Sequence, residues 1–162
     1  MGDLTRLTRL VLPRQPALTL YARQWLDAAS AEDAVQEALT ALLTQRMTPN
    51  DPIAWMFRAV RNAAIDAARS TSRRKRREQA VATDRSEWFE SRPDSAIDAE
   101  TAEHALRGLS AEHRQIVVLR IWGELNFTQI AEIVSLGVST VHERYSTALK
   151  QMRIALENPC KT

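Results

Sequence analysis

Apolar residues recur along the chain with the spacing of amphipathic helices, not with the alternation of strands. One set has the i, i+3, i+4, i+7 and i+8 spacing of a single buried helix face: Val35, Ala38, Leu39, Leu42 and Leu43. A second set predicts the core side of a later helix: Phe57, Val60, Ala64 and Ala67. Because the chain also has only 4 glycines and many good helix formers, the pattern predicts an all-α fold.

Capping residues and prolines indicate where the helices of the first half begin and end. We expect one helix over about 17–26 and a second from near Ser30, whose hydroxyl can cap it. Glu32 and Asp33 follow in that first turn, where the helix dipole stabilises carboxylates. We expect a third helix over about 53–70. Pro52 stands at its start, in a first-turn position where proline is tolerated.

The second half predicts a helix-turn-helix. Its three helices are expected over about 111–122, 127–134 and 139–156. Ser110 can cap the first of them and Gly123 ends it. Asn126 and Gln129 form a capping box at the start of the second helix, and Gly137 allows a tight turn before the third. Two helices joined by a short turn that contains Gly are typical of this DNA-binding motif.

The last predicted helix has a buried stripe and an outward set near its N-terminal end. The buried stripe is Val141, Tyr145, Ala148 and Met152. The outward set is Ser139, Thr140, His142, Glu143, Arg144 and Thr147. In a helix-turn-helix, side chains in this position meet base edges, although two packed helices without DNA would have the same spacing. Because the outward set holds few basic side chains, we expect weak intrinsic affinity for DNA.

One face of the helix over 53–70 combines an aromatic ring, positive charges and an amide. Its members are Trp55, Arg58, Arg61, Asn62 and Arg69, with Asp66 at the edge and with Arg73 and Arg74 in the basic run that follows. Such a face suits an unpaired nucleic-acid strand, because bases stack on aromatic rings and arginines contact phosphates. A solvated basic face with Trp55 half in the core would show the same spacing.

The helix expected from near Ser30 has an acidic and polar outer face. This face consists of Asp33, Gln36, Glu37 and Thr40. An exposed acidic face is usually solubilising. It could also bind a basic partner helix, and the residues alone leave both interpretations open.

Charge divides the chain into three segments. The net formal charge of +2 is too small to hold a polyanion by bulk electrostatics. It is the sum of +5 over residues 1–83, −4 over 84–109 and +1 over 110–162. The acidic stretch also contains a proline and scattered serines, which indicates a linker. We therefore expect a helical domain over 1–78, an acidic linker over 79–109 and a second helical domain over 110–162.

Cysteine and histidine positions exclude several kinds of site. The single cysteine, Cys160, allows no internal disulfide and no cysteine-rich metal site, which fits a reducing cytoplasm. The histidines His104, His113 and His142 lie on separate segments, and no Gly-rich phosphate loop or nucleophile motif is present. We therefore expect no catalytic residue, no cofactor and no metal. Since no apolar run reaches the roughly 18 residues that span a bilayer, we also expect no membrane segment.

Together these segments resemble an RNA polymerase sigma factor of the extracytoplasmic-function (ECF) type, which keeps only regions 2 and 4. Residues 31–38, AEDAVQEA, resemble the core-binding signature of region 2. Residues 55–69, WMFRAVRNAAIDAAR, resemble the region 2 helix that melts and reads the minus-ten element. Residues 109–153 resemble region 4, which binds the minus-thirty-five element. Two segments within them, WGELNFTQIAEI and STVHERY, are similar to ECF sigma factors of planctomycete-type bacteria.

The resemblance implies a role for each surface. The acidic face of Asp33, Gln36, Glu37 and Thr40 would bind the clamp helices of the polymerase β′ subunit. The stripe from Trp55 to Arg74 would melt and read the minus-ten element, and the outward set of the last helix would read the minus-thirty-five element. Region 4 would also bind the β flap, and the acidic linker would run through the RNA exit path. The implied partners are core RNA polymerase, promoter DNA and, in some family members, an anti-sigma factor.

The chain departs from the family pattern around its last helix. Ser135 and Gly137 stand where relatives more often have Gly and Ser. His142 replaces a residue that is usually basic, and Glu143 stands where Ser or Arg is common. The sequence preference at the minus-thirty-five element is therefore left open.

Two other functions are compatible with a helix-turn-helix. A stand-alone transcriptional regulator would bind duplex DNA without polymerase core, and a protein-only module would bind another regulator and no nucleic acid. The basic stripe disfavours the protein-only module. The resemblance favours a non-enzymatic sigma factor in the cytoplasm, which binds core RNA polymerase and directs promoter recognition, DNA melting and transcription initiation.

Overall fold

The computed structural model describes residues 2–78 and 99–158. These residues fall into two compact units, one before and one after residues 79–98. All regular secondary structure in the two ranges is helical, so the all-α prediction is confirmed. The first unit contains α1 (Gly2–Val11), a 3₁₀ turn (Leu12–Arg14), α2 (Gln15–Ala22), α3 (Ala28–Leu43) and α4 (Pro52–Glu78). The second unit contains α5 (Ala99–Arg107), α6 (Ala111–Ile121), α7 (Phe127–Val134) and α8 (Val138–Glu157).

The first unit is a bundle in which α2, α3 and α4 pack against one another and α1 packs against α4. Its largest fully buried side chains include Leu18, Tyr21, Met56, Phe57 and Val60. The predicted apolar faces point inward. Val35, Ala38, Leu42, Phe57, Val60 and Ala64 are buried, whereas Leu39, Leu43 and Ala67 are half-buried.

Two aspartates cap the long helices of the first unit. The Asp27 carboxylate accepts from the Ser30 amide at 2.8 Å and so caps α3. The predicted cap at Ser30 is therefore wrong. The hydrogen bonds from Ser30 hold the pKa of Asp27 below its ordinary value. Asp51 accepts from the Ala54 amide at 3.0 Å, and Pro52 opens α4 as predicted.

Helix α4 is longer than the sequence predicts. It continues to Glu78 instead of ending near residue 70. No glycine or proline occurs between Ile53 and Glu78, so nothing in the covalent chain stops the helix. The basic run that follows the predicted helix therefore begins inside α4.

In the second unit, α5, α6 and α7 each pack against α8. Fully buried side chains from all four helices meet in one core: Leu106, Ile116, Leu119, Ile130 and Val141. In the predicted stripe of the last helix, Val141 and Ala148 are buried and Tyr145 and Met152 are half-buried.

Helix α5 lies within the segment that the sequence assigned to the linker. The acidic composition of this segment hides a short amphipathic pattern, because Ala105 and Leu106 point into the core while Arg107 stays exposed and pairs with Glu103. The second unit thus begins no later than Ala99.

Arg114 joins α5 to α6. Its Nε donates to the carbonyl of Leu106 at 3.0 Å, and its Nη2 donates to the carbonyls of Leu109 at 2.9 Å and Arg107 at 3.5 Å. These carbonyls lie at the C-terminal end of α5, where a helix has no internal donors left for them. Burial lowers the pKa of Arg114 from its ordinary value.

The predicted capping hydrogen bonds form at the N-termini of α6 and α7. The Ser110 hydroxyl accepts from the His113 amide at 3.2 Å. Asn126 and Gln129 form the reciprocal capping box, with both hydrogen bonds at 2.8 Å. Helix α7 covers the predicted residues.

The turns of the helix-turn-helix differ from the prediction. The residues with left-handed backbone are Glu124, with φ of 53°, and Ser135, with φ of 58°. Neither Gly123 nor Gly137 has a positive φ, so the tight turn predicted at Gly137 lies at Ser135. Gly137 is instead the residue that caps α8, with φ of −70° and no side chain to accept a hydrogen bond.

Some predictions fall on residues that the structure does not describe, and others concern membrane segments and metal sites. Residues 79–98 of the expected acidic linker and Cys160 lie outside the described residues. Within residues 2–78 and 99–158, no helix is long and apolar enough to cross a membrane. The same residues form no group of three or more His, Cys, Asp or Glu that could hold a metal ion.

Candidate nucleic-acid and protein interfaces

Helix α4 presents a continuous polar stripe on its outer side. On a helical wheel of about 100° per residue, six side chains lie within an arc of about 80°. They are Trp55, Arg58, Asn62, Asp66, Arg69 and Arg73. Trp55 is half-buried and the other five are exposed, as is the neighbouring Arg74. We call these six residues the α4 stripe.

Arg61 lies away from the α4 stripe. It is half-buried and hydrogen-bonds the side chain of Tyr21 in α2. Tyr21 is fully buried, and its ring meets Trp25 edge-on at 5.2 Å and Phe57 at 5.8 Å. Burial raises the pKa of Tyr21 above its ordinary value, and Arg61 partly opposes that shift. Arg61 therefore fastens α4 to α2, a contact that no pattern in the sequence predicts.

Helix α3 presents the acidic face that the sequence predicts. Asp33, Gln36, Glu37 and Thr40 are all exposed. The Thr40 hydroxyl donates to the carbonyl of Gln36 at 3.0 Å, which leaves its oxygen able to accept. The helix contains no Lys or Arg, so the charge on its outer side is negative.

The outward set of α8 is only partly open to solvent. Ser139, His142, Glu143 and Thr147 are exposed, whereas Thr140 and Arg144 are half-buried. The Nη1 atom of Arg144 lies 2.7 Å from Oε2 of Glu112, in the first turn of α6. The principal cation of the outward set is therefore paired within the second unit.

An aromatic cluster fixes α7 against α8. The Phe127 ring meets the His142 ring at 5.1 Å and the Tyr145 ring at 5.4 Å, both edge-on. The guanidinium of Arg120 lies 4.8 Å from the centre of the Phe127 ring, and its Nη1 donates to the carbonyl of Leu125 at 2.9 Å. His142 thus packs on the protein as well as facing solvent.

Sequence reasoning missed three residues that shape these surfaces: Tyr21, Glu112 and Arg120. Each acts on a residue of another helix or of the turn that follows its own helix. Periodicity within one helix carries no information about such pairs. The spacing of Phe127 and Tyr145 on facing helices could have suggested the aromatic cluster once the helix-turn-helix was recognised.

Two family models match the two units. The model "Sigma-70 region 2" matches residues 10–74, and the model "Sigma-70, region 4" matches residues 105–153. The first match ends within α4 and contains α3. The second contains α6, α7 and most of α8.

Individual relatives match most of the chain. The ECF RNA polymerase sigma factor SigL of Mycobacterium tuberculosis is 34% identical over 139 residues, which cover 81% of this chain and 77% of SigL. The sigma factor SigV of Bacillus subtilis is 32% identical, over 84% of this chain and 80% of SigV. These relatives do not test the planctomycete-type resemblance, which stays a prediction.

A solved structure has the same fold. The sigma factor RpoE of Bartonella quintana, in complex with the anti-sigma factor NepR, superposes with a TM-score of 0.76 at 23% identity. The match covers 93% of this chain and 96% of that one. Fold, family models and relatives agree, and the chain belongs to the ECF family of RNA polymerase sigma factors.

Proposed function

We propose that this sigma factor divides its work among three surfaces. The acidic face of α3 binds core RNA polymerase, the α4 stripe opens and reads the minus-ten element, and the outward set of α8 reads the minus-thirty-five element. A sigma factor is a non-catalytic subunit that binds core RNA polymerase and directs it to promoter DNA. The stand-alone regulator is not favoured, because the relatives are sigma factors along most of their length.

The exposed α4 stripe is the observation that carries the proposal. A half-buried Trp55 offers a ring on which a base can stack, a contact that contributes about 1–3 kcal/mol per base. The Asn62 amide can donate to and accept from a base edge. From Trp55 to Arg73 the stripe extends about 27 Å at about 1.5 Å per residue, which suits several nucleotides of an unpaired strand.

Arg58, Arg69 and Arg73 give the α4 stripe its positive charge, and all three are exposed. They supply phosphate contacts along the strand. Asp66 lies among them and disfavours phosphate at that point, which helps to fix the register of the strand. Arg61 supports the stripe by holding α4 on α2 instead of contacting the strand.

The acidic face of α3 suits a basic partner helix. Its carboxylates, Asp33 and Glu37, lie on one side of a helix without any cation, while Gln36 and Thr40 add hydrogen-bonding groups between them. By resemblance, the partner is the pair of clamp helices of the β′ subunit. Binding there places the α4 stripe on the polymerase where the strands separate.

The outward set of α8 is a weaker DNA-binding surface. Its arginine is paired with Glu112, and Glu143 repels phosphate. We propose that core polymerase supplies the missing affinity, in part through contact of the second unit with the β flap. The domains are then residues 1–78, a linker, and a second domain that includes α5.

The remaining assignments follow from the family. We place the protein in the cytoplasm, where polymerase and DNA are. An anti-sigma factor is a reasonable regulator, since the Bartonella quintana neighbour is a complex with one.

Reconstitution tests the proposal. Core RNA polymerase with this chain should initiate transcription at specific promoters, and core alone should not. If the chain neither binds core nor confers promoter-dependent initiation, the proposed function is wrong.

The α3 surface has a matched pair of variants. Glu37→Lys should weaken core binding about tenfold or more, because it places a cation opposite a basic partner. Glu32→Lys makes the same charge change on the same helix, about 140° from Glu37 around the wheel, and should weaken it far less. Titration of labelled chain with core measures both, and equal losses would contradict the assignment of this face.

A further inference from the structure

An ion pair connects the outward set of α8 to a residue outside it. Arg144 and Glu112 are contributed by different helices and meet at 2.7 Å. The Arg144 side chain is 30% exposed and that of Glu112 is 65% exposed, so the carboxylate lies on the open side of the pair. An ion pair this exposed adds little to stability, so its main consequence is where it holds the arginine.

The pair orients Arg144 without using up its donors. A guanidinium has five N–H groups in a rigid planar fork, and Nη1 of Arg144 contacts Glu112. Even a bidentate carboxylate takes only two of these five N–H groups, so the fork has donors beyond this pair. Because Glu112 holds the Arg144 guanidinium at Nη1, the remaining N–H groups have a fixed orientation. The side chain therefore loses less rotational freedom when it binds DNA than an unpaired arginine would.

The pair also makes the surface less attractive to DNA in general. Glu112 and Glu143 carry negative charge beside the one positive charge of Arg144. Binding to DNA of any sequence depends on neutralising phosphates with Lys and Arg. On a surface whose cation is already matched by carboxylates, contact with a phosphate adds little binding free energy. Contact with a base edge that presents two acceptors to the guanidinium adds more.

We propose that Glu112 is a specificity-determining positioning residue that holds Arg144 for a guanine in the major groove and weakens phosphate binding elsewhere. Guanine presents O6 and N7 to this groove, and the arginine fork fits both acceptors. The proposal rests on the proposed function of α8 as the reader of the minus-thirty-five element. It adds a residue of α6 that does not itself touch a base.

Selection from a random library tests the proposal. Holoenzyme assembled from core polymerase and the full chain selects from duplexes that carry a fixed minus-ten region and random sequence upstream. Wild-type holoenzyme should enrich a guanine at one upstream position. Glu112→Gln keeps the size of the side chain and removes its charge. It should reduce that enrichment about fivefold or more, and it should strengthen binding to unselected duplex.

A charge-matched control separates the local effect from the general one. Glu157→Gln removes one negative charge from the exposed C-terminal end of α8, about 20 Å along the helix from Arg144 at about 1.5 Å per residue. It should leave the guanine enrichment unchanged. Glu112→Asp keeps the charge but shortens the reach, and it should lower the enrichment without strengthening binding to unselected duplex.

A double-mutant cycle distinguishes positioning from a merely structural role. In the Arg144→Ala background, Glu112→Gln should have no further effect on base preference. The proposal is overturned if Glu112→Gln leaves the enrichment as in wild type, or if it acts equally with and without Arg144. If wild-type holoenzyme initiates but enriches no upstream base, the role of α8 and this inference both fail. If no holoenzyme forms, the proposed function itself fails.

Discussion

The two units use arginine in different ways. On the α4 stripe, the side chains of Arg58, Arg69 and Arg73 are exposed on the outer side of a helix that is packed on its other side. In the second unit, arginines bind groups of their own fold: Arg114 binds three backbone carbonyls, Arg120 binds one carbonyl and the Phe127 ring, and Arg144 binds Glu112. The exposed arginines of the α4 stripe are therefore accessible to a ligand, whereas the second unit uses much of its positive charge to hold itself together.

This difference explains how a chain with a net charge of only +2 can work on DNA. The unit that carries the surplus of basic side chains exposes three of its arginines along the α4 stripe. Under the proposed function, the other unit reads DNA with a nearly neutral surface, which favours base reading over tight general binding. We therefore expect the isolated protein to bind duplex DNA weakly until polymerase positions both units.

The largest expected effect is the loss of stability when Arg114, which binds its own fold, is removed. Arg114→Ala should lower the free energy of unfolding of the second unit by about 3 kcal/mol, because charged hydrogen bonds to three carbonyls of one helix end are lost together. Calorimetry of the full chain measures the change. Arg153→Ala, which removes an exposed arginine from α8, is the matched control and should cost about 0.5 kcal/mol or less. Equal losses of unfolding free energy in the two variants would contradict the structural role of Arg114.

Arg61 also binds a group of its own fold, although it belongs to the first unit, and Tyr21→Phe tests that contact. Removing the hydroxyl should destabilise the first unit by about 1–2 kcal/mol, because the half-buried guanidinium loses a partner. Denaturant unfolding at neutral pH measures this loss. A stability equal to wild type would show that Arg61 is not held by Tyr21.

The same variant predicts a pH dependence. Burial favours neutral Tyr21 and raises its pKa, so its contribution to stability is complete below about pH 10, where an unfolded tyrosine ionises. As the pH rises further, the unfolded state loses a proton that the folded state keeps, and stability falls by about 1.4 kcal/mol per pH unit. Wild type should therefore lose more stability between pH 9 and 11 than Tyr21→Phe. An equal loss would contradict the shift.

The smallest expected effect is the gain in stability from an improved N-terminal cap on α8. Asp27 and Asp51 cap α3 and α4 with their side chains, whereas the capping residue of α8, Gly137, has no side chain to accept a hydrogen bond and follows a left-handed Ser135. Exchanging the two residues, as Ser135→Gly with Gly137→Ser, should stabilise the second unit by about 0.5–1 kcal/mol. The change places Gly in the left-handed turn and a hydroxyl at the cap. An added Cβ at Gly137 meets only the Thr140 hydroxyl, at 3.9 Å.

Calorimetry of the exchanged variant measures that gain. Gly2→Ser, where an added Cβ meets nothing within 4 Å, is the control and should leave stability unchanged. A loss of stability in the exchanged variant would show that the turn depends on Ser135 in a way its backbone angle does not reveal.

Features that depend on neighbours in sequence could be predicted. The buried faces of α3 and α4 follow from helical periodicity, and the start of α7 follows from the Asn126 and Gln129 pair. The exposure of Asp33, Glu37, Arg58 and other candidates follows from the same periodicity. Family motifs added the roles, which no pattern of charge or hydrophobicity could supply.

Features that depend on packing between helices could not be predicted. Helix α5 was hidden because its acidic composition resembles that of a linker, although Ala105 and Leu106 are buried. The pairs of Arg61 with Tyr21 and of Arg144 with Glu112 join residues far apart in sequence. The left-handed residues lie at Glu124 and Ser135, next to or near the glycines, and Ser135 is the residue that ends α7.

The central claim is that the α4 stripe opens the promoter while another surface binds polymerase. The most direct test measures permanganate reactivity of promoter thymines with holoenzyme that carries Asn62→Ala or Arg58→Ala, alongside core binding of the same variants. We predict that reactivity falls about tenfold or more, that a premelted template restores initiation, and that core binding and the Arg153→Ala control stay at the wild-type level. Unchanged opening, or a parallel loss of core binding, would contradict the account.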